Sequence, residues 1–149
     1  MLKTLNFFSE FTDEELGEIE NKISVKSFMQ GTILREKAGQ HLYCHIVRSG
    51  EAEVIRGYGT PDEIPLAVIK EGDFFGEMSF LTDSPRGATV RAKTDIATVS
   101  FPMGILVELE RRNPQAALKI YRQFLMKTIE RLRTANCTIE ELQTKLRKR

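Results

Sequence analysis

Tryptophan is absent from this 149-residue chain, and cysteine and histidine occur only twice each. Cys44 and Cys137 lie far apart and lack C-x-x-C spacing, so they read as reduced thiols of a cytoplasmic protein, neither disulfide nor zinc site. No apolar run approaches the roughly 18–20 residues that a membrane span needs. The Met1–Phe8 segment has one lysine, a short apolar piece and no small-residue cleavage site, so neither a signal peptide nor a membrane anchor is expected. No Ser-His-Asp or Cys-His constellation is evident, and no enzymatic activity is expected. What is present is ordinary: 41% hydrophobic and 29% charged residues, the composition of a globular domain.

The net charge of +1 conceals an imbalance. Residues 1–110 carry 11 Lys/Arg against 18 Asp/Glu, whereas residues 111–149 carry 11 against 3. The body is acidic and the tail basic. An acidic body does not suggest a nucleic-acid surface.

The chemistry is concentrated in Phe74–Val90, read FFGEMSFLTDSPRGATV. Gly76 lets backbone approach a ligand closely. A helix beginning just after it would aim free N–H groups at an anion. Arg86 has the planar fork that grips a phosphate through two parallel hydrogen bonds. Glu77, nine residues earlier, can accept a hydrogen bond from a sugar hydroxyl. Together they describe a pocket for a compact negative charge beside a hydroxyl, as on a ribose phosphate.

This stretch closely resembles the phosphate-binding cassette of cyclic nucleotide-binding domains, F-G-E-(L/M)-(A/S)-(L/F)-L followed after a short turn by P-R-x-A-T-V. The resemblance covers about the first 110 residues, and the long C-terminal helix more loosely. It implies a non-catalytic cAMP sensor whose ligand is held by Phe75, Gly76, Glu77, Met78, Ser79, Pro85, Arg86, Gly87, Ala88 and Thr89. Gly76, Ser79, Gly87 and Ala88 would offer backbone donors to the phosphate and ribose. When guanine is preferred in the family, a hydroxyl residue often follows the arginine. Gly87 offers none, which leans toward cAMP, with cGMP possible. By the Arg-Leu element of bacterial cAMP-responsive regulators, the segment Glu130–Asn136 falls near the base, making Arg133 and Asn136 candidate contacts. Asn136 has an alternative role, fixing register in a helix pair.

A capping box, Thr12 with Glu15, and a staple of Phe11 on Leu16 predict a first helix to about Asn21. Phe7, Phe8 and Phe11 are expected in the core. Strands are predicted at roughly 24–29, 32–36, 42–48, 52–57, 64–70, 73–75, 87–93 and 96–101, punctuated by glycines. Ser49-Gly50 reads as a hairpin turn. The fold class is mainly β with flanking α: an eight-stranded, jelly-roll-like β-roll with an N-terminal helix and a long C-terminal helix. Pro102 is placed to begin a helix over 103–112, and Asn113 with Pro114 to begin the last one. The expected domains are 1–112, the nucleotide-binding roll, and 113–149, a lid and dimerisation helix.

Leu118, Leu125, Leu132, Ile139 and Leu146 recur every seven residues, with Ile129, Asn136 and Gln143 along one edge. This heptad seam predicts a parallel homodimer, the alternative being that one face merely packs on the β-roll. No segment could encode a helix-turn-helix, so a DNA-binding domain is not expected, and the downstream partner protein is left unnamed. Two other classes compete with the sensor. A scaffold or oligomerisation module could carry the same fold with an unoccupied or cGMP-preferring pocket. A metal-dependent β-roll enzyme would need three histidines, and only His41 and His45 exist, four residues and about 13 Å apart on a strand.

Overall fold

The computed structural model describes residues 2–34, 43–77 and 89–149. Two short 3-10 turns, Leu2–Thr4 and Asn6–Phe8, lead into helix α1, Asp13–Glu20. Its start follows from local chemistry. Thr12 Oγ1 accepts the Glu15 N–H at 3.2 Å, and Glu15 returns the bond to the Thr12 N–H at 2.9 Å. Three acids in the first turn suit the helix dipole.

Seven strands follow among the described residues: β1 Ser24–Phe28, β2 Tyr43–Ser49, β3 Ala52–Arg56, β4 Ile64–Ile69, β5 Phe74–Phe75, β6 Thr89–Ala92 and β7 Ile96–Pro102. They form two antiparallel sheets, ordered β1-β7-β2-β5 and β4-β3-β6. The strand expected at 32–36 is reduced among the described residues to one bridge, Ile33 to Arg91. Its backbone still bonds to β6 through Leu34 N–H to Val90 O, 2.7 Å, and Ala92 N–H to Thr32 O, 2.8 Å.

Ser49-Gly50 is not a hairpin turn. It carries the chain from one sheet to the other, since β2 pairs with β5 and β7 whereas β3 pairs with β4 and β6. Gly50 has φ +84°, and a Cβ there would lie 2.2 Å from Asp95 O. Only glycine lets the crossover pass under the β6–β7 turn. Pro102 likewise ends β7 opposite Tyr43 instead of opening a helix. Helix α2 runs Gly104–Arg112 after it, and α3 spans Pro114–Arg147, capped by the Asn113 side chain on the Ala116 N–H at 3.3 Å.

The core has two compartments separated by the four-stranded sheet. On its outer face Cys44, Ile46, Phe74, Val99 and Phe101 meet Phe7, Phe8, Phe11, α1, α2 and the first turns of α3. On its inner face Val47 and Phe75 meet Ala52, Ile69, Val90, Ala92 and Ile96 of the roll interior. Neighbouring residues of a strand point to opposite faces, so on a strand covered on both sides both sets of side chains are buried. That is why Phe74 and Phe75 are both buried.

Candidate functional site

The site is built around β5. Phe75 lies opposite His45 and Phe74 opposite Ile46. Before β5, a tight turn is held by Asp73 N–H to Lys70 O at 2.9 Å and Lys70 N–H to Asp73 Oδ2 at 3.1 Å. Asp73 O accepts from Val47 N–H at 2.8 Å, which ties this turn to β2. After β5, Gly76 has φ +100°, a left-handed conformation that costs a side-chain-bearing residue dearly. Beyond that bend Glu77 is 2% exposed.

A carboxylate so deeply buried needs a counter-charge. Helix α3 supplies it. Arg131 Nη1 donates to Glu77 Oε1 at 2.7 Å, and Nη2 donates to Phe74 O at 2.6 Å. The same guanidinium lies 5.4 Å from the Phe74 ring centroid. One turn earlier Lys127 is ion-paired to Asp73 and reaches Glu130 at 3.2 Å. Burial works to lower the Lys127 ammonium, but the hydrogen bonds and charges of Asp73 and Glu130 outweigh it and hold it above the usual lysine range. Two turns before Arg131, Phe124 packs on Phe74 at 5.3 Å. The second Glu77 oxygen, Oε2, has no hydrogen-bond partner among the described residues. It is an acceptor held in a buried place, suited to a hydroxyl donor.

The sequence-derived site residues are distributed as follows. Phe75, Gly76 and Glu77 form the bend just described. Thr89 is half-buried at the start of β6, opposite Ile55. Arg133 and Asn136 lie on exposed turns of α3. Met78, Ser79, Pro85, Arg86, Gly87 and Ala88 lie outside the described residues. The residue the sequence reading passed over is Arg131. Its signal was the helical stripe Ala117, Ile120, Phe124, Lys127, Arg131, whose apolar part is buried against the roll and whose cations continue the same face.

Among the described residues no group of three or more His, Cys, Asp or Glu could hold a metal ion. His45 belongs to a buried polar row, with Nδ1 at 2.6 Å from Ser100 Oγ and that oxygen 3.1 Å from Thr98 Oγ1, and it stacks on Phe75. His41 lies outside the described residues. Cys44 is buried and Cys137 exposed, and the two form no disulfide. No described helix is long and apolar enough to cross a membrane.

The family profile of the cyclic nucleotide-binding domain matches residues 25–113. The chain belongs to that family, a regulatory and not a catalytic one. It is similar to the cAMP-dependent protein kinase regulatory subunit of Yarrowia lipolytica, 35% identical over 102 residues, covering 67% of this chain and 26% of the relative. It is also similar to the cGMP-dependent protein kinase of Eimeria tenella, 29% identical over 105 residues, covering 70% of this chain and 10% of that protein. Among solved structures, a cyclic nucleotide-binding domain from Methylobacillus flagellatus superposes with a TM-score of 0.75 at 20% identity, covering 89% of this chain and 75% of that one, which speaks for the fold alone. The chain spans about a quarter of the length of the regulatory subunits it matches.

Proposed function

We propose that this chain senses cAMP in preference to cGMP and reports occupancy through α3. The reading is carried by one observation: Glu77 is buried, one oxygen is held by Arg131, and the other has no partner among the described residues. A ribose hydroxyl donating to Oε2 would complete that carboxylate, and Arg86 would take the cyclic phosphate. Gly87, with no hydroxyl to offer guanine, favours adenine. Because Arg131 belongs to α3, a ligand that engages Glu77 changes the environment of the helix's grip on the roll. Binding then shifts α3 between arrangements only as far as the ligand prefers one of them.

The exposed seam of α3 is the surface on which that shift is read, in a parallel homodimer or by a kinase-type partner such as the regulatory subunits named above possess. A scaffold whose pocket prefers cGMP, or stays unoccupied, is the second reading. It draws on the same ion pair, through which Arg131 fastens α3 to the roll.

Isothermal calorimetry with cAMP, cGMP and a cyclic dinucleotide tests the sensor. The expected result is saturable binding of cAMP, weaker binding of cGMP, at least a tenfold loss in Glu77→Gln, and no detectable binding in Arg86→Ala. Equal binding by Glu77→Gln and wild type would remove Glu77 from the site. No heat with any nucleotide would leave the scaffold.

A further inference from the structure

We infer that Lys127 is a positioning residue for the nucleotide pocket: clasped to Asp73, it fixes the register at which α3 presents Arg131 to Glu77. This rests on the sensor reading above, to which it adds a residue that touches no ligand.

The argument is one of matched spacing. Lys127 and Arg131 are four residues apart on one face of α3, separated by about 6 Å of helical rise. Their partners Asp73 and Glu77 are also four residues apart, one on each side of β5. A fully extended run of four residues would cover about 13 Å, twice the helical rise. The left-handed bend at Gly76 shortens the path, so both acids meet cations on successive turns of one helix. Between the two rungs, Arg131 also binds Phe74 O, and Phe124 packs on the Phe74 ring.

The rungs differ in what holds them. Asp73 is fastened to the roll by its own turn and by the Val47 N–H. It lies outside the set of groups a nucleotide would engage. Glu77 has to share its carboxylate with a ligand. The Lys127–Asp73 rung is therefore the fixed reference, and Arg131 is placed relative to it. An aromatic contact alone would not set that register, because Phe124 against Phe74 tolerates sliding along the helix, whereas two paired charges do not. Beyond Arg131 every residue of α3 is exposed, so no later contact with the described part of the roll compensates for an error in register.

The test is a double-mutant cycle on the full chain, read by cAMP affinity. Lys127→Met keeps the apolar stem and removes the charge. It is expected to weaken cAMP binding about tenfold in wild-type background and less than twofold in Arg131→Met, because the two act as a unit. Lys127→Arg should restore affinity to within about twofold of wild type. A ligand-free arm uses hydrogen exchange of residues 128–135. Exchange should quicken in Lys127→Met, stay unchanged in Lys127→Arg, and quicken no further when Lys127→Met is added to Arg131→Met. Equal affinity losses in both backgrounds, or a Lys127→Met protein indistinguishable from wild type, would reduce Lys127 to an ordinary structural ion pair and overturn the inference. Should wild type bind no cyclic nucleotide, the sensor reading falls on its own, and the exchange comparison still decides whether Lys127 sets the register.

Discussion

At the scale of single residues, Glu77 and Arg131 are unequal partners. The carboxylate is 2% exposed, while the Arg131 side chain keeps about a third of its surface in solvent. Breaking a fully buried pair from one side costs about 3–5 kcal/mol. Solvent around the guanidinium screens part of that, so Arg131→Met should destabilise the fold by about 1–3 kcal/mol in urea denaturation. Adding Glu77→Gln should recover part of the loss, because a neutral amide tolerates the unpaired position. A midpoint that does not move would mean that Glu77 finds another counter-charge. Glu77 was legible in the sequence because its neighbours Phe75 and Gly76 belong to a local pattern. Arg131 was not, since its role depends on which face of α3 turns to the roll. The Arg-Leu resemblance drew the reading past Arg131 itself to Arg133 and Asn136, which lie on exposed turns of α3.

At the scale of elements, the helix starts were readable because caps are local. Thr12→Ala removes one half of the α1 capping box and should cost about 1 kcal/mol, measured by thermal or urea unfolding. A loss near zero would assign the start of α1 to Phe11 and Leu16 packing instead. Strand partners were less readable. The Ser49-Gly50 pair carries an ordinary turn signal, and nothing nearby announces that Asp95, far along the chain, sits where a Cβ would go. The α2–α3 junction offers a pH test. Burial, then a hydrogen bond to and the charge of Glu110, push the Tyr121 phenol up to about 12 from an ordinary value of 10.0. A folded value raised in this way stabilises fully below pH 10 and is lost as the pH climbs toward about 12. Tyrosinate absorbance should therefore show one of the three tyrosines titrating late. Tyr121→Phe should flatten the fall in stability over that window. If the absorbance change lost in Tyr121→Phe falls near 10, the junction does not bury the phenol.

At the scale of the whole molecule, the acidic roll and the basic helix are joined along β5, and the seam of α3 faces away from that junction. Leu118, Leu125, Leu132, Ile139 and Leu146 are each 51–65% exposed. Apolar residues at heptad spacing gain most by meeting a second copy. Sedimentation equilibrium should therefore find a dimer at tens of micromolar. A Leu132→Glu, Ile139→Glu double variant should be monomeric and still bind cAMP. A monomeric wild type would make the seam a surface for some other chain.

The burial of α3 ends at Arg131, and from Leu132 to Arg147 the helix runs on for about 24 Å at 1.5 Å per residue. It is an oar whose rowlock is the β5 clasp. A tilt of about 10° at that fulcrum would sweep the blade through roughly 4 Å, several times any displacement at the carboxylate itself. A change the size of one hydrogen bond at that fulcrum would thus be magnified, along the longest helix among the described residues, into a distance another molecule could feel.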